Sequence, residues 1–242
     1  MRCAIGVFTI LTFGICCLNA DAAITMVAHK VNKDITGAEL TALASGGYDS
    51  AAGNLIAVWA VSYGGAQPIG LVTDSAGDTF TAATPRTGAW NGQWFYAKNI
   101  KGDSFNVVTV HPAATGRATF KYVGIVVLEY SGVDKISPLD VDTAGPQGSL
   151  PGWTSSSFRV SAGEVVLLGM VTATGSPYTA GSGYTLEDSY ITPGNATYSF
   201  AAEDQVFPAA QSGITASITW TGAHQATGAV VSFKAAGAVS SK

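Results

Sequence analysis

Short apolar runs separated by glycine, proline, asparagine and aspartate recur along the chain from residue 23 onward. Runs that are rich in β-branched and aromatic residues and end at such turn formers are typical of β-strands. Some alternate: Phe105, Val107 and Thr109 would share one face of a strand. Others, such as residues 55–61 and 125–128, are apolar on both faces, which predicts central strands covered on both sides.

The same pattern contains one helix candidate, residues 36–44. Thr36 and Glu39 have the spacing of a capping box, and Gly46 and Gly47 would end a helix, although a loop fits these residues equally well. No long amphipathic helix is visible that would connect parallel strands, so antiparallel sheets are expected. We therefore predict an all-β fold, an antiparallel two-sheet sandwich of jelly-roll-like type.

An internal similarity suggests how that fold is organised. Residues 52–62 resemble residues 162–172 at an offset of 110, residues 75–81 resemble 180–185, and residues 123–127 resemble 227–231 at an offset of 104. A single match of this kind is expected in any β protein, but three in order favour a duplication. We expect one β-sandwich domain over residues 23–236, with half-repeats at about 24–143 and 153–235 and a flexible tail at 237–242.

The N-terminus has the layout of a secretory signal peptide. Arg2 is followed by an apolar run over residues 4–18 and then by Ala20-Asp21-Ala22, a small-x-small cleavage pattern. This predicts a signal peptide at residues 1–22 and a secreted, extracellular or periplasmic protein. The apolar run is shorter than the ~20 residues that span a bilayer, so no membrane insertion is expected after cleavage. A lipoprotein cleavage before Cys16 or Cys17 fits less well.

Composition argues against several kinds of partner and active site. The formal net charge is −4, and the 12 basic residues form no run, which argues against a nucleic-acid or anionic-membrane partner. All three cysteines (Cys3, Cys16 and Cys17) lie in the predicted signal peptide. The mature chain would then lack disulfides, thiolate catalysis and cysteine-ligated zinc.

Several phrases resemble an uncharacterised β-sandwich module of secreted and cell-surface bacterial proteins. The resemblance spans roughly residues 24–233, and the phrases that carry it are residues 72–80, 96–100, 128–134, 137–140 and 202–205. It implies a bacterial extracellular protein. It carries no catalytic set onto this chain, and fold-level analogy alone is a weak argument for function.

Carboxylate pairs are the candidates for catalysis, because glycoside hydrolysis needs two of them on either side of the scissile bond. Glu129 lies at the end of an apolar run, where burial would raise its pKa, although a structural pair with Lys121 or Lys135 is the simpler interpretation. Glu203 is the second candidate, and Glu187 with Asp188 is a further carboxylate pair. It cannot easily pair with its neighbour Asp204, because adjacent strand residues point to opposite faces.

Asp74 and Asp78 flank a Ser-Ala-Gly turn, and oxygen ligands on a loop suit calcium. The competing interpretation is that the side chain of Asp74 caps the turn. No histidine pair has the spacing of a zinc site.

Aromatic residues suggest a ligand more directly than the charged ones do. Trp90, Trp94, Tyr96 and Trp153 lie in or beside turn-rich segments, and an exposed row of aromatic rings would stack on sugars. Core packing is the alternative for each of them.

These observations favour a secreted, non-catalytic β-sandwich module that binds a glycan or another surface polymer, or that has a structural role at the cell surface. Two alternatives remain open: a secreted polysaccharide hydrolase or lyase, and a self-assembling surface or filament subunit with an open edge strand at residues 24–31.

Overall fold

The computed structural model describes residues 23–64, 67–113, 119–173, 175–191 and 198–237. The predicted signal peptide and residues 238–242 of the predicted tail lie outside the described residues. The described ranges contain eighteen β-strands: β1 (Thr25–Lys33), β2 (Leu43–Ala44), β3 (Tyr48–Ser50), β4 (Leu55–Tyr63), β5 (Ile69–Asp74), β6 (Phe80–Ala82), β7 (Trp90–Ala97), β8 (Asp103–Asn106), β9 (Val108–Pro112), β10 (Gly124–Ser131), β11 (Leu139–Ala144), β12 (Gly148–Thr154), β13 (Phe158–Val160), β14 (Val165–Thr172), β15 (Thr185–Ile191), β16 (Ser199–Val206), β17 (Gln211–Ile214) and β18 (Ser217–Phe233).

The predicted all-β class is confirmed, and the strands pair in five antiparallel sheets. One large sheet has the order β1-β10-β4-β7-β6. The other has the order β11-β18-β14-β16-β15, with β12 also paired to β18. Three small sheets complete the fold: β2-β9-β5, β3-β8 and β13-β17. The doubly apolar runs form β4 and β10, which lie inside the five-stranded sheet, as their pattern predicted.

The helix candidate at residues 36–44 was wrong, and no α-helix occurs in the part of the chain that the structure describes. Asp34 Oδ1 accepts hydrogen bonds from Thr36 N and Oγ1, so these side chains close a turn. Gly37 has a φ of 71°, which ends any right-handed helix where it would start. Leu43–Ala44 then pairs with β9 as β2.

Buried apolar side chains form three clusters, one between the two large sheets and one on the outer side of each. The inner cluster takes residues from both large sheets, among them Trp59, Trp94, Tyr130, Phe200 and Phe233. The first outer cluster covers the other face of the five-stranded sheet and includes Ile56, Val58, Phe95, Val108 and Phe120. The second outer cluster covers the other face of the six-stranded sheet and includes Trp153, Leu168, Met170, Ile218 and Val230. The central strands of both large sheets are therefore buried on both faces.

The contact between the large sheets is close because a glycine faces a tryptophan. Trp59 Nε1 donates to the carbonyl of Met170 at 3.2 Å, and a Cβ at Gly169 would lie 2.2 Å from the Trp59 ring. Trp94 Nε1 donates to the carbonyl of Ala229, also at 3.2 Å. Two buried indole N–H groups thus find acceptors across the inner cluster, as buried donors require.

None of the described segments forms a helix long and apolar enough to cross a membrane.

Candidate functional site

The four aromatic candidates lie in the core. Trp90 is 6% exposed, Trp94 1%, Tyr96 9% and Trp153 1%. Trp94 and Tyr96 do share one face of β7, as their spacing predicted, but that face belongs to the inner cluster. The expected exposed row is therefore not formed by these residues, because both faces of each large sheet are covered by other layers.

Glu129 is a buried cross-link. Its Oε1 accepts from the backbone N–H of Ala51 at 2.9 Å and from Nδ2 of Asn54 at 2.6 Å, in place of the predicted lysine partners. Its Oε2 is buried and has no hydrogen-bond partner among the described residues. These bonds tie β10 to the turn that leads into β4.

Glu203 and Asp204 make separate contacts on opposite faces of β16. Glu203 Oε2 accepts from the N–H of Gly181 at 3.0 Å, and burial raises the pKa of Glu203 to about 8. Asp204 Oδ2 accepts from the Tyr130 hydroxyl at 2.6 Å. Burial also raises the pKa of Asp204, while the hydrogen bonds from Tyr130 and Glu187 oppose the rise. The predicted separation of these neighbouring carboxyl groups is what the structure has.

Glu129 and Glu203 do not meet in one cleft. Glu129 shares a strand face with Ile125 and Val127 of the first outer cluster, whereas Glu203 shares a face with Ala201 of the second. Both large sheets lie between them. A glycosidase needs its two carboxyl groups within about 10 Å of each other, so these two acids do not form that pair.

The calcium candidates close a turn with their own carboxyl groups. Asp74 Oδ1 accepts from the N–H of Asp78 at 2.8 Å, and its Oδ2 accepts from Asn106 Nδ2 at 3.1 Å. Asp78 Oδ1 accepts from the N–H of Lys101 at 3.0 Å. Burial, with Asp74 beside it, raises the pKa of Asp78. This is the turn-capping alternative, and the described ranges contain no group of three or more His, Cys, Asp or Glu side chains placed to hold a metal ion.

Sequence reasoning missed a carboxyl pair that forms across strands. Glu187 of β15 lies beside Asp204 of β16, and burial together with the charge of Asp204 raises the pKa of Glu187 to about 7. On the same strand, Asp188 Oδ2 lies 3.0 Å from His29 Nδ1 of β1. A register shift between Leu186 and Asp188 sets this arrangement. Glu187 and Asp188 were visible as an acidic pair, but no sequence spacing gives that shift.

Sequence reasoning also left one exposed aromatic ring without a role. Phe105 of β8 is 68% exposed, and a Cβ at Gly47 would lie 2.3 Å from its ring, so the ring fills the space that this glycine leaves. Val107, Thr109 and His111 are half-buried on the same side of the chain. The alternation predicted for this segment is confirmed.

Searches of protein-family models, curated proteins and solved structures found no match to this chain.

Proposed function

We propose that this chain is a secreted, non-catalytic β-sandwich module that binds a glycan or another surface polymer. The observation that carries the proposal is the ring of Phe105, which is 68% exposed on the outside of the first outer layer. An exposed aromatic side chain stabilises the fold less than a buried one would. Its exposed face is available for stacking on a sugar ring.

The backbone around Phe105 is held in place, which favours a preformed site. Asp103 Oδ1 accepts from the Phe105 N–H at 3.0 Å. Ser75 Oγ donates to the Phe105 carbonyl at 3.3 Å and accepts from the Val107 N–H at 2.9 Å. Gly47 supports the ring from below.

Polar residues lie on the two paired strands that carry and flank Phe105. Asp49 and Ser104 are exposed on the paired strands β3 and β8, and Asp103 is half-buried beside them. Carboxylates and hydroxyls accept and donate hydrogen bonds to sugar hydroxyl groups. This mixture favours a polyhydroxylated ligand over an apolar protein surface. A bacterial extracellular or periplasmic location, as the signal-peptide layout and the resemblance imply, belongs to the same proposal.

The proposal includes two pseudo-repeated halves. The two large sheets have matching strand orders when each is followed from one edge to the other. The order is β1-β10-β4-β7-β6 in one sheet and β11-β18-β14-β16-β15 in the other. The small sheets β3-β8 and β13-β17 correspond in the same way. Corresponding strands therefore follow each other in the same order along the chain and take the same places in the sheet. A duplicated half would produce this topology.

Two polar contacts support the duplication further, because their partners are exchanged between halves. Asn54 donates to Glu129, and Glu129 lies opposite Ile56. In the second half the carboxylate belongs to Glu164, which directly precedes β14, the strand that corresponds to β4. Glu164 accepts at 3.2 Å from Ser232 of β18, which lies opposite Val166. By strand register, Glu129 corresponds to Ser232, an offset of 103 in place of the 104 read from the sequence (232 − 129 = 103), so the acid and its donor have changed places.

A hydrolase or lyase is less favoured because Glu129 and Glu203 act as structural cross-links on opposite sides of the molecule. A self-assembling subunit is also less favoured. β1 is an edge strand, but it carries a bulge between Met26 and Ala28 and the charged residues Lys30 and Lys33, which hinder pairing with another chain.

The test is affinity electrophoresis of the secreted chain through gels that contain soluble polysaccharides, covering neutral, acidic and amino-sugar polymers. We expect retardation in at least one gel, and we expect Phe105→Ala to weaken it about tenfold, whereas Phe105→Trp retains it.

The matched control is Ile136→Ala, which removes a side chain that is 82% exposed in the β10–β11 loop and should leave retardation unchanged. Free migration of the wild-type chain in every gel, or equal retardation of Phe105→Ala, would contradict the proposal.

A further inference from the structure

A row of outward-facing side chains continues from the Phe105 ring along β9. Every second residue from Phe105 to His111 is exposed or half-buried, and the residues between them are fully buried. This alternation places Phe105, Val107, Thr109 and His111 on one face of the outer layer. Six residues of extended chain cover about 20 Å, so the row has about that length.

Strand pairing widens this row into a surface. Thr109 lies opposite Ala44 of β2 on one side and opposite Thr73 of β5 on the other. His111 lies opposite Leu71 of β5. Residues that face each other across paired antiparallel strands project from the same side of the sheet. We call the resulting surface the outer strip; its members are Ala44, Leu71, Thr73, Phe105, Val107, Thr109 and His111.

The outer strip has a large exposed side chain at each end and small side chains between them. Phe105 is 68% exposed at one end, and Leu71 is 53% exposed at the other. Thr73 and Thr109 are half-buried between these ends. Thr73 Oγ1 lies 3.0 Å from Nε2 of His111, which holds the imidazole in place beside Leu71. A linear molecule laid along the outer strip would therefore meet an apolar contact at both ends and no obstacle between them.

The charge pattern indicates what kind of molecule this is. None of the outer-strip residues is Asp, Glu, Lys or Arg. Asp49 and Asp103 lie on the paired strands β3 and β8 at the Phe105 end, and they would repel an acidic polymer that has no cation on the outer strip to bind. Threonine hydroxyls and an imidazole exchange hydrogen bonds with sugar hydroxyl groups. This combination favours a neutral polysaccharide.

We propose that the ligand is a neutral, linear polysaccharide that lies along the outer strip from Phe105 to Leu71. The inference rests on the proposed function, and it extends the site from one aromatic ring to a surface about 20 Å long. Each additional sugar gains contacts until the oligosaccharide spans the outer strip. Sugars beyond that length add nothing to the affinity.

The test is affinity electrophoresis of the secreted chain with competing oligosaccharides. The gels contain a neutral polymer (hydroxyethyl cellulose, glucomannan or arabinoxylan) or an acidic one (polygalacturonate or alginate). Trisaccharides and hexasaccharides prepared by partial hydrolysis of the retarding neutral polymer are added as competitors. We expect retardation in a neutral gel, and we expect the hexasaccharide to compete about tenfold more strongly than the trisaccharide.

Two variants examine the part of the outer strip away from Phe105. Leu71→Ala should weaken competition by the hexasaccharide about fivefold and leave that by the trisaccharide nearly unchanged. Thr109→Glu places a longer, charged side chain in the middle of the outer strip and should remove the advantage of the hexasaccharide. Val27→Ala is the matched control, because Val27 is 46% exposed on the edge strand β1, away from the outer strip. Urea midpoints show that each variant is folded.

The outcomes separate this inference from the proposed function. Equal competition by both oligosaccharides, retardation in acidic gels alone, or unchanged hexasaccharide binding in Leu71→Ala and Thr109→Glu would each overturn the inference. The proposed function would still stand if Phe105→Ala weakened binding, whereas free migration in every gel would contradict both. A dimer in sedimentation that Leu71→Ala dissociates would assign the outer strip to a second copy of this chain.

Discussion

Residue size decides how closely the two large sheets approach. Trp59 of β4 lies over Gly169 of β14, and these residues occupy matching positions in the two runs that resemble each other at an offset of 110. Two tryptophans would not fit this gap, and two glycines would leave it empty. The Trp59 ring occupies the space that Gly169 leaves open, and together they reach the packing density of a protein core.

Gly169→Ala is therefore expected to destabilise the protein. The new Cβ would lie 2.2 Å from Cδ2 of Trp59, and a backbone shift or a displaced ring would lower the free energy of unfolding by about 1–3 kcal/mol. Urea unfolding followed by tryptophan fluorescence measures this. Gly88→Ala is the control, because its nearest neighbour is the flexible end of Gln147 at 3.3 Å.

A double-mutant cycle gives the sharper result. Trp59→Phe should itself lower stability, but the smaller ring makes room for the methyl group of Gly169→Ala. The double variant should then lose less than the sum of the single variants. Additive losses would mean that the two residues do not compete for this space.

At the scale of elements, the edges of the two large sheets are joined to each other by side chains and not by strand pairing. β11 and the segment after β6 are linked through the carboxylate of Asp142, with Thr84 and Arg86 as donors. These hydrogen bonds join one edge of the five-stranded sheet to one edge of the six-stranded sheet.

Asp142→Ala is expected to lower the free energy of unfolding by about 1–3 kcal/mol, because Thr84 N and the half-buried Arg86 lose their acceptor. The loss should be the same at pH 6.0 and pH 8.0, since the guanidinium does not titrate there. Urea midpoints at the two pH values check this. A loss of stability that differs strongly between the two pH values would show that another titrating group contributes to the contact of Asp142 with Thr84 and Arg86.

At the scale of the whole molecule, buried carboxyl groups set the pH dependence of stability. Burial raises the pKa of Glu203 to about 8 and, with neighbouring acids, that of Glu164 and Glu187 to about 7. An unfolded glutamate titrates at about 4.3. Between these values the folded chain binds protons that the unfolded chain releases. Stability from these groups is therefore complete below about pH 4.3 and is lost as the pH rises through 7 and 8.

In acid, a carboxyl group with a lowered pKa changes the stability in the opposite direction. Backbone hydrogen bonds from Ser137 and Ile136 lower the pKa of Asp134, and this contribution is lost as the pH falls through that lowered value. We expect maximal stability near pH 4 and a decrease toward pH 8, measured as urea midpoints from pH 4 to pH 8. Glu203→Gln should recover about 3–5 kcal/mol at pH 8 and about 1 kcal/mol at pH 5. A midpoint that rises toward pH 8 would contradict the sign.

The sequence by itself determined the class of the fold and the faces of many strands. Alternation in residues 105–109 and the doubly apolar runs in β4 and β10 follow from the two-residue repeat of a strand, which is a local property of the chain. Local patterns also gave the turn-capping alternative for Asp74, because an aspartate hydrogen-bonds its own turn.

Only the tertiary structure decided which faces are exposed and which acids meet. Trp94 and Tyr96 share a face as predicted, but a second sheet covers that face, and no local pattern tells a covered strand face from an open one. Glu187 meets Asp204 through a register shift, and register depends on long-range pairing. The sequence also leaves the layering undetermined: three buried clusters around two large sheets arise because each sheet is apolar on both sides and needs a cover on both.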